Sequence, residues 1–535
     1  MKDKNSKNNL KEKIISASRS ALRFALSRYF ISAIIILVEV ILVEHLFITI
    51  AENFFITTAA VLTLHAVGFI HLINRDTNPE YKVTWLVVMM IPVAGVLLYF
   101  LFFERRPSAR EAELLMSIRQ RILLNERPSL DPKEKSQREE SPLPPPLNTE
   151  HRGIVRALLA DDPLAAAYRG TASTFFSSGE EYFRSLIADI ASAEKYIFLE
   201  YFIIEDGELW QKILLELKKK AALGVDVRVL YDDIGSMQTL PPFYEKKLRE
   251  MGICAYRFGR VTPKLSAIHN NRDHRKIAVI DGKIAYTGGV NIADEYANIK
   301  EKYGHWQDGG IRVIGSAALG LARLFLSAWD YTAGATSDYK KLLQTEKTDL
   351  DDGGIYIPFG SGPPPIYKEK VGKNLFINLI NSAEDSLCIT TPYLIADYEL
   401  TEALCKASRR GVDVRIITPG TPDKKIIKIM TKSSYPHLIA SGVKIYEYTP
   451  GFIHEKTLIA DEKYLVVGTV NLDYRSLMHH FEDGILVINS PIIGIARAAF
   501  ENTISKSEYR SSDQAKLNII EWLLRNIMKI FAPLM

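Results

Sequence analysis

The sequence predicts an α/β protein in which two tandem copies of one α/β unit form a pseudo-twofold domain, preceded by N-terminal transmembrane helices. Three observations lead to this prediction: a strongly apolar N-terminal region, a long internal repeat, and a short polar motif that occurs once in each copy. With 535 residues, the chain is too long for one ordinary domain. Its formal net charge of only +4 gives no indication of a nucleic-acid partner.

The N-terminal region is basic at first and then apolar. Residues 1–28 are basic, and residues 29–104 contain three apolar runs that predict membrane spans at about 29–50, 53–73 and 83–103. Each run has about 20 residues, enough to cross a hydrocarbon core of about 30 Å. Three buried helices of a soluble domain are a less favoured alternative, because soluble helices have distinct polar and apolar faces. Basic residues flank both ends of the region, which two spans satisfy and three do not, so the number of spans stays open.

A polar segment separates the apolar region from the rest of the chain. Residues 105–152 are charged and rich in proline, a composition that cannot bury a core, and they predict a linker. The globular part follows in two halves, residues 153–345 and residues 346–535.

The globular part repeats itself at a period far longer than that of a solenoid. The stretch "GVDVRVL" at 224–230 matches "GVDVRII" at 411–417, and "MGICAYRF" at 251–258 matches "SGVKIYEY" at 441–448. In each half, short β-branched runs alternate with amphipathic helical segments. This alternation predicts two α/β units, each with a largely parallel sheet.

Each half also contains the motif His-x-Lys-x4-Asp, followed by a turn of small residues and an asparagine. The first copy consists of His274, Lys276, Asp281 and Asn291, and the second of His454, Lys456, Asp461 and Asn471. Residues two apart on a strand point to the same face, so each histidine is expected beside its lysine. The aspartates have two interpretations: each could fix the histidine tautomer, or each could shape the turn after the strand, as Asp281-Gly282 suggests.

These residue types suit phosphoryl transfer. Two imidazoles can act as a pair, in which one attacks phosphorus and the other protonates the leaving oxygen. Lysine and asparagine can hold the anionic phosphoryl oxygens. Each half supplies one motif histidine, so we expect the site where the halves meet. Neither a cofactor nor a metal ion is expected, because lysine and asparagine supply the positive field and an ammonium has no lone pair for a metal.

The stretches "HRKIAVID…GGVN" and "HEKTLIAD…GTVN" resemble the paired His-Lys-Asp motifs of the phospholipase D superfamily. Further stretches, "YTGGVNIADEY" at 286–296, "HWQDGGIRVIG" at 305–315 and "HHFEDGILV" at 479–487, resemble the bacterial cardiolipin synthases within that superfamily. The resemblance covers nearly the whole chain from the apolar region onward. It implies a multi-pass enzyme of the bacterial cell membrane with two phospholipase D-like halves, whose motif regions are residues 268–295 and 448–475.

The resemblance also implies a reaction. A phosphatidyl group would pass from one phosphatidylglycerol to another through a phosphohistidine, giving cardiolipin and glycerol. A phospholipase D-type hydrolase and a transphosphatidylase with a different lipid acceptor are the alternatives. A nuclease is disfavoured by the apolar region, and a non-enzymatic scaffold by the two intact motifs. Oligomeric state is not predicted.

The family resemblance implies a role for each candidate residue. His274 is expected to be the nucleophile and His454 the general acid and then base, although the symmetry of the pair leaves the reverse assignment open. Asp281 and Asp461 stand at the catalytic motif positions. The expected phosphate ligands are Lys276, Lys456, Asn291 and Asn471. Glu482 could orient an imidazole, and Glu295 is expected in the comparable place of the first half.

The C-terminal stretch predicts an amphipathic helix with two possible partners. Its apolar and basic residues alternate at helical spacing, so it could lie on a membrane surface with Trp522 and Phe531 inserted. It could equally dock on the globular domain. The basic segment 424–434 could meet anionic headgroups or form a solvated helix face.

Overall fold

The computed structural model of the chain describes residues 55–75, 77–103, 109–125, 149–260, 271–344, 350–511 and 519–534. The chain divides into a small unit within residues 1–105 and a large unit formed mainly by residues 106–261 and 268–535.

The small unit contains three helices in its described residues: α1 (Phe55–Ile73), α2 (Pro79–Met89) and α3 (Ala94–Phe102). Helix α1 matches the predicted span 53–73 and is the one described helix that is long and apolar enough to cross a membrane. The predicted span 29–50 lies outside the described residues.

The predicted span 83–103 is not one continuous helix, because the chain breaks between α2 and α3. Pro92 cannot continue the hydrogen bonding of a helix, and Val93 adopts a positive φ of 59°. The two short helices pack against each other at Gly95, where a Cβ would lie 2.0 Å from the carbonyl oxygen of Val88. Glycine is therefore required at this approach.

The large unit begins with two helices, α4 (Ala109–Asn125) and α5 (Thr149–Asp161). Helix α4 lies inside the predicted linker, so that prediction is wrong for residues 109–125. Leu115, Ile118 and Ile122 recur every three to four residues and are buried in the core of the large unit. Residues 126–148, which hold the proline-rich stretch, lie outside the described residues.

The first half forms a seven-stranded sheet in the order β1-β8-β6-β5-β2-β3-β4. Its strands, with β7 outside the sheet, are β1 (Thr171–Phe176), β2 (Tyr196–Tyr201), β3 (Asp226–Asp232), β4 (Cys254–Phe258), β5 (Lys276–Ile280), β6 (Ile284–Gly288), β7 (His305–Gln307) and β8 (Gly310–Gly315). The helices of this half are α6 (Gly179–Ser192), α7 (Glu208–Ala222), α8 (Tyr244–Glu250), α9 (Ala318–Ala333) and α10 (Tyr339–Leu342).

The second half forms an eight-stranded sheet in the order β19-β13-β12-β10-β15-β16-β18-β9. Its strands, with β11, β14 and β17 outside the sheet, are β9 (Ile355–Ser361), β10 (Ser386–Thr390), β11 (Leu394–Ile395), β12 (Asp413–Pro419), β13 (Lys444–Tyr448), β14 (Gly451–Ile453), β15 (Thr457–Ala460), β16 (Tyr464–Gly468), β17 (Leu472–Asp473), β18 (Glu482–Ile488) and β19 (Ser507–Arg510). Its helices are α11 (Val371–Ser382), α12 (Tyr398–Arg409), α13 (Lys425–Ala440), α14 (Tyr474–Met478), α15 (Ile492–Ser505) and the C-terminal α16 (Ile519–Phe531).

The two sheets repeat one strand order, which confirms the prediction of tandem copies. Reading β1-β8-β6-β5-β2-β3-β4 against β9-β18-β16-β15-β10-β12-β13 matches every strand of the first sheet. The sheets are mixed rather than largely parallel. Only β2-β3-β4 and β10-β12-β13 pair in parallel, because tight hairpins join β5 to β6 and β15 to β16.

The two halves share a continuous apolar core. Helix α9 contacts β5, β6 and β8 of the first sheet and β9 of the second. Phe325 on this helix is fully buried and stacks on Phe198 of β2 at a ring distance of 4.6 Å. Ile357 and Ile485 of the second sheet belong to the same core. The halves are thus held in a fixed relation, which fixes the relation of their motifs.

Candidate active site

Both His-Lys motifs lie at the junction of the halves, and each is held by the backbone of the other half. The backbone N–H of His274 donates to the carbonyl of Phe481 at 2.8 Å, and that of His454 donates to the carbonyl of Gln307 at 2.8 Å. Both histidines are buried. Burial first, and then the positive charges of Lys276 and Lys456, lower the pKa of His274, so Lys456 of the other half is near enough to interact with it. The structure therefore brings the four residues together, as the repeat predicts.

His274 is oriented by Glu482 of the second half. Its Nδ1 lies 2.9 Å from Oε2 of this fully buried glutamate. The hydroxyls of Thr469 and Ser476 also donate to Glu482, at 2.5 and 2.6 Å. A carboxylate accepts the Nδ1–H tautomer, which leaves Nε2 of the imidazole with its lone pair. The structure thus places Glu482 where sequence analysis expected an orienting residue.

His454 is oriented by Asp308 of the first half, a residue that sequence analysis missed. Its Nδ1 lies 2.7 Å from Oδ2 of the fully buried aspartate. A signal was present in the sequence, because "DGGI" at 308–311 aligns with "EDGI" at 482–485. The structure agrees with this alignment, since Gly310 and Gly484 pair with the equivalent glycines that end β6 and β16. Counting back two residues from each glycine gives Asp308 and Glu482, so the two acids are equivalent.

Glu295 does not occupy the comparable place, which corrects the expectation for this residue. Its Oε1 accepts from Lys302 at 2.7 Å, and Lys302 is 45% exposed. Glu295 lies in a 3₁₀ turn at 294–297, which follows the strand that ends at Gly288 and is separate from it. The structure gives its expected role to Asp308.

Asp281 and Asp461 are bound to backbone amides at the far ends of their strands. Asp281 accepts three backbone N–H groups, from residues 194 to 196, at 2.7–2.8 Å. Asp461 accepts three from residues 384 to 386, at 2.8–2.9 Å. Seven residues of extended chain put each aspartate on the order of 20 Å from its motif histidine. The structure does not bring these aspartates to the imidazoles, and it favours the turn-shaping interpretation.

The two motif lysines are buried cations that turn back toward the histidines. Nζ of Lys276 donates to the carbonyl of His274 at 2.6 Å, and Nζ of Lys456 donates to the carbonyl of His454 and lies 2.9 Å from its Nδ1. Burial lowers the pKa of Lys276 to about 8 and that of Lys456 to about 7, although nearby carboxylates oppose the effect. An anionic ligand in the site would stabilise both ammonium groups.

Burial also keeps the two imidazoles neutral at pH 7. It lowers the pKa of His454 to about 4, with Lys456 adding to the effect and Asp308 opposing it. The pKa of His274 also lies well below its usual range, because of burial first and of Lys276 and Lys456 next. A neutral imidazole with its Nδ1–H on a carboxylate presents a basic Nε2, which is the form needed for attack or for proton removal.

The asparagines differ in how far the protein satisfies them. Oδ1 of Asn291 accepts from the backbone N–H of Ile203 at 3.0 Å, and its Nδ2 donates to the hydroxyl of Tyr296 at 2.8 Å. Oδ1 of Asn471 is buried without a hydrogen-bond partner among the described residues. A buried acceptor without a partner is costly unless a ligand satisfies it, so Asn471 is the better placed of the two for contact with a substrate.

Different aromatic groups surround the two histidines. Tyr296, Trp306 and Phe452 have their rings 5.4–5.8 Å from that of His454. Phe202 lies 5.0 Å from the ring of His274, and His480 lies 5.3 Å from it. Sequence analysis missed His480 as a member of the site, because its position beside His274 arises from the packing of the halves.

One group of side chains around His274 has a metal-like arrangement. Ligand atoms of His274, His480 and Glu482 lie within 4.8 Å of one another. Glu482 already accepts the Nδ1–H of His274, and the charges of Lys276 and Lys456 act on the same ring. These two ammonium groups oppose a cation and favour an anion, so the donor set suits a phosphate better than a metal ion.

Comparisons with known proteins agree with this architecture. The family model described as the phospholipase D-like domain of cardiolipin synthase matches residues 186–301 and 376–504. A second model, described as the N-terminal region of phospholipase D and nuclease proteins, matches residues 64–102. A cardiolipin synthase of Geobacillus sp. strain WCH70 is 33% identical over 87% of this chain and 91% of its own. An uncharacterised protein of Streptococcus mutans is 42% identical over 69% of this chain and 79% of its own.

A solved structure has the same fold. The phosphatidylserine synthase of Haemophilus influenzae superposes with a TM-score of 0.54 over 72% of this chain and 98% of its own, at 17% identity. The duplicated mixed sheets and the paired motifs therefore define a protein of the phospholipase D superfamily. Within the superfamily, the chain belongs to the cardiolipin synthase family, which confirms the resemblance seen in the sequence.

Proposed function

We propose that the chain is a membrane-bound cardiolipin synthase that transfers a phosphatidyl group from one phosphatidylglycerol to another. The observation that supports this most directly is the reciprocal pairing of the histidines, in which His274 bonds to Glu482 and His454 bonds to Asp308. The pairing supplies two basic nitrogens, and the buried lysines favour an anion between them. Family membership assigns that anion to the class of phospholipids.

The first step forms the covalent intermediate. Nε2 of His274 attacks phosphorus, a P–N bond forms, and the P–O bond to glycerol breaks. His454 supplies the proton that the glycerol oxygen takes up. The anionic phosphodiester raises the pKa of the nearby imidazole when it binds, so His454 can be protonated in the complex although it is neutral in the free enzyme.

The second step transfers the phosphatidyl group. His454, now neutral, takes the proton from the hydroxyl of a second phosphatidylglycerol, and the oxygen of that hydroxyl attacks phosphorus. The P–N bond breaks, cardiolipin is released, and His274 returns to its neutral form. Lys276, Lys456 and Asn471 hold the phosphoryl oxygens in both steps. Asn291 has a supporting role, since its amide is already bonded to the protein.

We also propose that the N-terminal region anchors the enzyme through two spans. Helix α1 forms one of them, and the apolar run 29–50, outside the described residues, forms the other. Two spans leave both basic flanks on the same side of the membrane, which agrees with the positive-inside rule and places the catalytic halves, 153–345 and 346–535, in the cytoplasm.

The test is a product assay with the detergent-solubilised full-length protein and labelled phosphatidylglycerol, without added metal. We expect cardiolipin and free glycerol in equal amounts. His274→Ala and His454→Ala should each lower turnover by at least about 10³-fold. His437→Ala, at an exposed histidine bonded to Glu402, is the matched control and should keep full activity.

The outcomes separate the alternatives. Phosphatidic acid without cardiolipin would show a hydrolase, and cardiolipin formed only with a different added lipid would show another acceptor. Quenching in denaturing detergent at neutral pH, which avoids the acid hydrolysis of a P–N bond, should trap labelled phosphatidyl-enzyme in the wild type and, after slower formation, in His454→Ala but not in His274→Ala. The opposite pattern would reverse the assignment of nucleophile and acid.

A further inference from the structure

The C-terminal helix α16 docks on the large unit through one face. Met528 packs against a small apolar cluster that contains Ile395, Met430 and Tyr474. Ala532, in the 3₁₀ turn that follows the helix, is buried in the same cluster. One of the two predicted partners, the globular domain, is therefore present in the structure.

A second face of α16 is apolar and exposed. Ile519, Leu523 and Ile527 are four residues apart, so they form one stripe along the helix. Their exposed fractions are 81%, 56% and 48%. Met528 lies about 140° around the helix from Leu523, so docking leaves this stripe uncovered. Three large aliphatic side chains on one exposed stripe indicate a contact surface rather than isolated surface residues.

Exposed basic side chains lie on the same two packed helices as this stripe. Lys529 of α16 is exposed, and α16 packs against α13, whose N-cap residue Lys424 and first residues Lys425 and Ile426 are exposed. Lysines at the start of a helix face the positive end of its dipole, an unfavourable arrangement that an anionic partner offsets. Exposed aliphatic residues and exposed lysines on one pair of packed helices match the interface of an anionic bilayer, where an apolar stripe enters the acyl boundary and ammonium groups meet phosphates.

Packing connects the end of α16 to the catalytic site. The 3₁₀ turn after α16 packs against α14, which holds Ser476. The hydroxyl of Ser476 donates to Glu482, the residue that orients His274, and accepts the backbone N–H of Asn471. A bilayer that meets α16 would therefore lie near the edge of the site.

The geometry points to a membrane-contact surface made of α16 and the start of α13, with an anionic phospholipid bilayer as its partner. Leu523 and Ile527 insert at the acyl boundary, and Lys424, Lys425 and Lys529 bind headgroup phosphates. The surface seats the large unit directly on the lipid, in addition to the N-terminal anchor. It does not depend on which phospholipid is the substrate.

Spin-label accessibility in the full-length protein tests the surface. The background is Cys254→Ser, since Cys254 is exposed and Cys388 and Cys405 are buried. A nitroxide is attached at Leu523→Cys or Ile527→Cys, and at Leu215→Cys as the matched control. Leu215 is 54% exposed on α7. The protein is reconstituted in vesicles of phosphatidylglycerol and phosphatidylethanolamine, and collisions with oxygen and with a water-soluble nickel complex are compared.

We expect the labels at 523 and 527 to favour oxygen over the nickel complex at least about fivefold more than the label at 215, as for a helix at 5–10 Å depth. Replacing the lipid with neutral phosphatidylcholine, or reversing Lys424, Lys425 and Lys529 to Glu, should reduce that preference. Equal accessibility at 215, 523 and 527 would overturn the inference. Protection from both reagents with dipolar broadening would also overturn it, since it would show a second copy of the chain on the stripe. Catalytic failure of the protein would leave these readings unaffected, so the two proposals are tested separately.

Discussion

The two halves of the large unit have the same strand order, yet they build unequal surroundings for their histidines. In the second half, Thr469 donates to Glu482, whereas the first half has Gly289 at the equivalent place. A Cβ on Gly289 would lie 2.1 Å from Oδ1 of Asp308, so no side chain fits there. The shorter aspartate approaches its histidine through the space that the glycine leaves open.

A second difference lies one residue after each orienting acid. Asp483 follows Glu482 and crosses to the first half, where it accepts from Thr287 at 2.5 Å and from the backbone N–H of Lys276 at 3.2 Å. Gly309 holds the equivalent position after Asp308 and has no side chain to cross. Each half therefore supplies the acid that orients the histidine of the other half. Of the two residues that follow these acids, only Asp483 of the second half adds polar contacts across the junction.

The largest expected effect comes from breaking the reciprocal pairing. Glu482→Gln and Asp308→Asn keep the shape of each side chain but remove the charge that holds the Nδ1–H tautomer. We expect each variant to lose about 10²–10⁴-fold in kcat, since an amide can present the wrong tautomer. Turnover of phosphatidylglycerol under saturating conditions measures the loss, and unchanged thermal unfolding shows that the fold is intact.

If the halves are equivalent in catalysis, the two losses should agree within about tenfold. A loss below about tenfold in one variant only would show that its histidine does not depend on the carboxylate. That result would break the symmetry of the proposed mechanism and identify the half in which proton transfer is less demanding.

The next effect concerns the unequal lysines. The phosphate needs both ammonium groups, and burial lowers the pKa of Lys456 to about 7 and of Lys276 to about 8. Both lysines lose their protons as pH rises, so we expect kcat/KM to fall on the alkaline side, by about tenfold per unit between pH 7 and pH 8 and by about a hundredfold per unit above pH 8, where both groups titrate. A pH profile of kcat/KM from 5.5 to 9.5 measures the fall.

Lys456→Arg sharpens this comparison, because an arginine stays charged over the whole range. It should move the alkaline limb to higher pH, although the bulkier group lowers the maximum rate. Lys456→Met should lose about 10²–10³-fold below pH 7, and the difference from the wild type should shrink at higher pH, where the wild-type lysine is neutral. An alkaline limb that is unchanged in Lys456→Arg would mean that Lys456 is not the titrating group.

Sequence patterns predicted the parts of the site that depend on local spacing. The repeat, the alternation of strands and helices, and the side-by-side His274 and Lys276 follow from strand periodicity and motif spacing. The partner of each histidine does not, because Glu482 and Asp308 reach it across the junction of the halves. A motif specifies residue types along the chain, and only the packing of the two sheets decides which acid meets which imidazole. The break at Pro92 was visible in the sequence, but apolar length outweighed it in the prediction of a third span.

The structure leads to a prediction about stability for the aspartates that follow β5 and β15. Asp281→Ala and Asp461→Ala each remove three hydrogen bonds from a carboxylate to backbone amides, at positions with φ of 54° and 50°. We expect each to lower the free energy of unfolding by about 2–3 kcal/mol. Turnover per folded molecule should stay within about threefold of the wild type.

Thermal unfolding of the solubilised protein, followed beside cardiolipin production, separates the two quantities. A similar loss of stability in the two variants would confirm that the halves are equivalent at this end of the sheets. Full stability with turnover lost by about 10²-fold or more would restore the catalytic interpretation of these aspartates and contradict their placement far from the histidines.

The smallest effect is expected at Glu295, where sequence analysis had placed the counterpart of Glu482. Glu295 pairs with the half-exposed Lys302, and such a pair contributes at most about 1 kcal/mol. Glu295→Gln should therefore change kcat by less than about twofold, beside the large loss in Glu482→Gln measured in the same assay. A loss in Glu295→Gln comparable to that in Asp308→Asn would mean that His454 depends on the 3₁₀ turn as well as on its aspartate. A negligible loss would assign the orienting role in the first half to Asp308 alone, because the two acids differ in that only Asp308 contacts an imidazole.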